Sequence, residues 1–156
     1  MGREGIEQYL YMMDEAFGAN SRWHSLLKNL SSVREDEWEW VPAGGRRSIR
    51  AIAEHCGAKH MYQNRAFGDG TMTWETVPPP EGSSREAIVA WLSECHRQWR
   101  TGVESLADDA ELAKPRGAPW NDQRETRWLI NTMIQHDLYH AGEINHIRAM
   151  RQGDDE

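Results

Sequence analysis

Apolar residues recur along the chain in four runs at helical spacing. Ile6, Leu10, Met13, Phe17, His24 and Leu27 fall at steps of three, four or seven, which lays them on one stripe of a first helix. A second helix is expected after Gly44-Gly45, with Ser48 as its N-cap, running to about Phe67-Gly68. Ser83-Ser84-Arg85-Glu86 reads as a capping box opening a third, whose stripe is Ile88, Leu92, Cys95, Trp99, Val103 and Leu106. The fourth is expected to start near Asp122, with Glu125 three residues on. It carries Leu129, Met133, His136, His140, Ile144 and Ile147, and Gly153 is placed to end it.

The segments between these runs differ in kind. Residues 69–82 hold Pro78-Pro79-Pro80 and cannot be helical throughout. So long a link can cross the end of a bundle and leave the second and third helices parallel. Residues 107–121 are polar, with Pro115, Gly117 and Pro119, and no strand-like alternation of useful length is visible. The simplest way to bury four such stripes is an all-α four-helix bundle, read as one domain over residues 1–156.

Composition changes this picture little. Leu, Ile, Val and Phe make up 24 of 156 residues, roughly 15%, a level that in a highly charged chain points to disorder. Eight Trp, seven Met and four Tyr supply the missing apolar bulk, so a packed core is feasible. The formal charge of −7 argues against a nucleic-acid phosphate partner. No apolar run is long enough for a membrane span, and no secretory signal is visible at Met1–Glu7, so a cytoplasmic protein is expected. Cys56 and Cys95 are too few for a disulfide scaffold and read as small core residues rather than a redox pair. Trp91 and Trp99 read as packing. Trp38, Trp40, Trp74 and Trp120 lie in connections, where sealing the bundle ends is expected ahead of lining a pocket or a dimer face. The run Gly153-Asp154-Asp155-Glu156 reads as a solvated tail.

The seven histidines carry the candidate chemistry. His136 and His140 are four apart, about 40° around one helix face, a spacing at which two imidazoles can grip one ion. Asp137 follows His136, so the Glu of a zinc-protease motif is missing. The pair lies on the stripe of Leu129, Met133 and Ile147, and Glu143 shares that side. Burying two polar rings is costly unless they find partners, and either hydrogen bonds or a shared metal would satisfy them. In the second helix His55 and His60 are five apart, about 140° around the axis, so both cannot easily aim at one ion. Periodicity slightly favours His60 as the more inward. His24 reads as a core or rim histidine; His96 and His146 fall towards the edges of their helices and read as solvated.

Several of these segments resemble the DinB/YfiT-like superfamily. Ser48-Ile49-Arg50-Ala51-Ile52-Ala53-Glu54-His55 is similar to its second-helix signature. The run Glu54–Met61 resembles the YfiT-type sequence there, and His136-Asp137-Leu138-Tyr139-His140-Ala141-Gly142-Glu143-Ile144 resembles the closing His-x-x-x-His motif. The Trp38-Glu39-Trp40-Val41-Pro42 lead-in is also similar, and the order and spacing of the runs match over nearly the whole chain.

The resemblance implies an up-down-down-up four-helix bundle, often a homodimer, and a divalent ion (zinc, nickel or iron) held by one second-helix His and the fourth-helix pair. By position these are His55, His136 and His140, with His60 as the substitute. Glu143 stands where the family has Gln, as a partner behind the ligands or an extra ligand. Three imidazoles leave an ion with open positions, the arrangement of catalytic rather than closed sites. Relatives include transferases using low-molecular-weight thiols such as bacillithiol or mycothiol, and a thiol-dependent maleylpyruvate isomerase. The resemblance therefore implies a metal-dependent thiol S-transferase or isomerase acting on a small-molecule electrophile, with Glu143 or Tyr139 assisting. The alternatives are metal-activated hydrolysis and a non-enzymatic metal-binding or stress-response domain.

Overall fold

The computed structural model describes residues 2–153. Helix α1, Glu4–Phe17, buries Ile6, Leu10 and Met13. Two of its first amides, on Gly5 and Ile6, donate to the Asp109 carboxylate at 3.0 Å each, so a residue over a hundred positions away satisfies donors that no helix can satisfy itself. α1 stops at Gly18, and the chain turns before α2, Leu26–Ser31, capped by Ser25, whose hydroxyl accepts from the Lys28 amide. His24 therefore lies in a turn, not on the first stripe, and its Nδ1 pairs with Asn29 Oδ1 at 2.9 Å. A single turn, α3, Glu35–Trp38, follows.

The second expected helix forms in two pieces, α4, Ile49–Cys56, and α5, Ala58–Phe67. Ser48 caps the first by accepting from the Ala51 amide at 3.2 Å, worth about 1 kcal/mol. The break falls at Gly57, where the hydrogen bonds tighten to three-residue spacing. The Trp91 ring lies so close that a Cβ at Gly57 would stand 1.7 Å from Cη2, and only glycine fits.

Helix α6, Arg85–Glu104, buries Ile88, Leu92, Cys95, Trp99 and Val103 as the periodicity predicts. Its cap is Ser84, accepting from the Ala87 amide, one residue later than the expected Ser83–Glu86 box requires, and Glu86 pairs with Arg85. Helix α7 spans Thr126–Gln152 and ends at Gly153, whose φ of 82° suits glycine. Asp122–Glu125, expected to begin this helix, is instead strand β2, paired antiparallel with β1, Pro115–Ala118. The fold is thus mostly helical with one small hairpin rather than all-α. The hairpin left no alternation to read because β2 is exposed throughout and β1 grades from exposed Pro115 to buried Ala118 rather than alternating. The tail from Asp154 onward lies outside the described residues.

α7 packs against α1, α2 and α4, and α6 packs against α5 and α1. The core has two apolar clusters. One gathers Leu10, Met13, Tyr62, Trp99, Leu129 and Met133; the other gathers Leu30, Ile49, Ile52, Ile88, Leu92 and Ile144. Along α5, α6 and α7 the residues between these clusters are polar: Lys59 and His60, His96, then Asp137 and His140, all buried. Lys59 Nζ meets Asp137 Oδ2 at 2.5 Å and lies 4.6 Å from the centre of the Phe17 ring, on which His96 stacks at 4.0 Å. His96 is therefore interior, not solvated, because the end of α1 covers the edge of α6. Among the described residues, no helix is long and apolar enough to cross a membrane.

Candidate metal centre

The polar layer opens to the surface where α4 faces α7. His55, one residue before the end of α4, points out of its helix towards His136 and His140, one helical turn apart on α7. His55 Nε2 and His136 Nε2 stand 3.3 Å apart. The ring centres lie 5.2 Å apart for His55–His136, 4.9 Å for His55–His140 and 4.4 Å for His136–His140. One nitrogen from each ring falls within 4.8 Å of the others, a cluster that could hold a metal ion. His140 is buried, His136 half-buried and His55 exposed, so the cluster is closed from below and accessible from one side.

Two features suit these rings to an ion. His136 turns Nε2 to His55 Nε2, which brings a ring nitrogen from each of two helices to one point, while its buried Nδ1 has no hydrogen-bond partner among the described residues. Burial also lowers the His55 pKa, and with the neighbouring His140 and His55 it lowers that of His136 to about 3. Both rings are then neutral at physiological pH, the form that donates a lone pair to a metal.

Glu143 lies behind the cluster rather than in it. It accepts from His140 Nδ1 at 2.8 Å and is itself clamped by Arg47 Nη2, at 2.9 and 3.1 Å from its two oxygens. A ring whose Nδ1 donates to a carboxylate offers Nε2 as its lone pair, the usual way a histidine ligand is oriented. Tyr139 is 68% exposed, its ring edge-on to His140 at 5.0 Å.

His60, which periodicity favoured, is the more buried of the two α4–α5 histidines but does not join the cluster. Its ring rests against Trp91 at 5.0 Å, on the other side of the Gly57 break. Cys56 and Cys95 are buried free thiols. Burial pushes both pKa values up, that of Cys95 to about 12, which suits inert packing residues. The buried Lys59–Asp137 pair, next in sequence to His136, has no local signal in the sequence: each partner is an ordinary charged residue until the fold brings α5 against α7.

Beside the cluster is a cavity of about 420 Å³, lined by His55 and His136 together with Met61, Tyr62, Trp74 and Trp120. Trp38 behaves as a seal, buried with its Nε1 donating to the Ser83 carbonyl. Trp74 and Trp120 do not: they are 48% and 77% exposed and form the cavity wall. Trp120 sits in the hairpin turn with φ at 67°, followed by Asn121 at 57°. Left-handed backbone costs a bulky residue about 1–2 kcal/mol and persists only where surrounding structure enforces it.

Comparison with known proteins places these observations in a wider set. A family model described as the DinB superfamily matches residues 19–144, from just after α1 to within α7. The crystal structure of a DinB-like protein from Bacillus cereus ATCC 10987 superposes with a TM-score of 0.63 at 17% identity, covering 96% of this chain and 91% of that one. No curated protein matches the sequence significantly.

Proposed function

Because the chain belongs to the DinB superfamily, we propose that His55, His136 and His140 together bind one divalent cation and that the protein is a metal-dependent thiol S-transferase or isomerase acting on a small electrophile. The observation that carries this is the convergence of three imidazole nitrogens within 4.8 Å at an accessible opening. When bound, a zinc, nickel or ferrous ion there would supply Lewis acidity, holding a thiol as thiolate or acidifying a water. Three neutral ligands leave coordination positions open, as in catalytic rather than structural sites.

The chain's own groups have separable tasks in this reading. Glu143, fixed by Arg47, holds the His140 tautomer and supports the positive charge that a ligated ring acquires. Lys59 and Asp137 anchor α5 against α7 at the residue next to His136. Tyr139, exposed beside His140, assists in this reading by hydrogen-bonding an incoming cosubstrate. The four long helical runs follow the up-down-down-up order, in a protein that acts in the cytoplasm as a homodimer; the family resemblance supports these points.

The test is conjugation of a low-molecular-weight thiol to a model electrophile by metal-loaded protein. Turnover that His136→Ala abolishes supports the reading, and equal turnover by that variant removes it. Ester or amide cleavage without added thiol would transfer the same site to hydrolysis.

A further inference from the structure

The wall of the cavity beside the histidines is built with more constraint than packing requires. Trp74 comes from the proline-rich link between α5 and α6, and Trp120 from the turn of the β1–β2 hairpin, two segments separated by the whole of α6. Both are tied to one side chain. Arg65 on α5 donates through Nε to the Met72 carbonyl at 3.0 Å, two residues before Trp74. Through Nη1 it donates to Asn121 Oδ1 at 3.2 Å, the residue after Trp120. Asn64 adds a second tie, accepting from the Met72 amide at 2.8 Å.

The Trp120 backbone is left-handed at φ 67°, where a bulky side chain is rarely found, yet its indole is 77% exposed. An exposed ring gains little from burial in its own fold, so burial does not account for the conformation. What the conformation does achieve is to set the indole at the cavity, perpendicular to Tyr62 with ring centres 6.3 Å apart. On the same wall Trp74 lies 6.3 Å from the His55 ring.

We propose that Trp74, Trp120 and Tyr62 form the specificity surface of this site and select an electrophile with a flat, neutral, aromatic or conjugated face. The proposal rests on the metal-centre reading for the chemistry but not for the binding. Indole faces stack on planar π-systems and gain beyond area burial alone. The same rings would also attract a quaternary ammonium group. However, among the described residues no carboxylate lines the cavity to support a cation, and the nearby Glu143 is already paired with Arg47. A planar neutral group is the occupant that this lining favours. Arg65 is a positioning residue in this scheme, holding both tryptophan-bearing segments in register.

The test is a fluorine NMR titration of the full chain, metal-free and zinc-loaded, with 4-(trifluoromethyl)benzyl alcohol. Its saturated cyclohexyl analogue is titrated in parallel, and tetramethylammonium serves as competitor. The expected result is binding of the aromatic probe by both forms and weaker binding of the saturated analogue. Trp74→Ala and Trp120→Gly should each lose roughly fivefold in affinity, with zinc stoichiometry unchanged. Trp120→Gly is the fold-retaining variant, since glycine accepts a positive φ, and a thermal melt at or above the wild-type midpoint verifies it. Unchanged probe affinity in both variants overturns the proposal, as does equal binding of the saturated analogue or displacement by tetramethylammonium. A chain that binds the probe in this pattern but takes up no zinc leaves this inference standing and removes the metal reading.

Discussion

Glu143 accepts a hydrogen bond from His140 Nδ1 at 2.8 Å, and Arg47 holds both oxygens of the same carboxylate. A carboxylate in that position orients the ring and makes its other nitrogen a better donor. Glu143→Ala is expected to weaken zinc binding by about 10–100-fold, measured by competition with a chromophoric chelator. Glu143→Gln keeps an acceptor oxygen and is expected to lose less.

Metal removal should destabilise the fold, because an ion that binds only the native state adds RT ln(1 + [L]/Kd), about 4 kcal/mol at a thousandfold excess over Kd. The thermal midpoint of zinc-loaded protein is expected to fall on addition of chelator. The His140→Ala variant should melt at one temperature with or without it.

Lys59 and Asp137 are each 2% exposed and 2.5 Å apart. Burial raises the Asp137 carboxyl pKa, and the Lys59 ammonium offsets only part of that rise. Removing one charge leaves the other buried and alone. Lys59→Met or Asp137→Leu alone should cost about 3–5 kcal/mol, whereas the double replacement should recover much of that loss. Urea unfolding of the four proteins in the cycle measures the coupling.

His96 makes the fold acid-sensitive by a separate route. Burial, with the Lys59 and Arg100 cations nearby, holds its pKa down at about 3; Asp14, 3.4 Å away, is already engaged by Arg100. The unfolded chain takes up a proton near pH 6.5 and the folded ring does not, so this contribution is intact above that pH. It declines as pH falls from about 6.5 towards 3. His96→Gln should flatten the pH dependence of the melting midpoint across that interval.

Much of the scaffold was legible because it is local. The stripe Ile88, Leu92, Cys95, Trp99 and Val103 is buried as its spacing required, and Ser48 and Gly153 cap their helices as their chemistry suggested. His136 and His140 share a helix face for the same reason. What escaped is non-local. The Gly57 break interrupts the ideal helix on which His55 and His60 were compared, so inwardness identified His60 as buried while leaving it outside the cluster. His96 looked marginal on its own helix because the ring that covers it, Phe17, belongs to α1. Trp74 and Trp120 were expected to seal the ends, and nothing short of tertiary structure would reveal that Arg65 brings both to one cavity.

The central claim is that positions 55, 136 and 140 share one cation. The most direct measurement is elemental analysis of protein produced without nickel resin, then dialysed against zinc, for the wild type and four single alanine variants. One equivalent per chain is expected for the wild type and for His60→Ala, with His55→Ala, His136→Ala and His140→Ala falling to background. A wild-type chain that emerges metal-free, or an ion that departs with His60 and stays without His55, would contradict it.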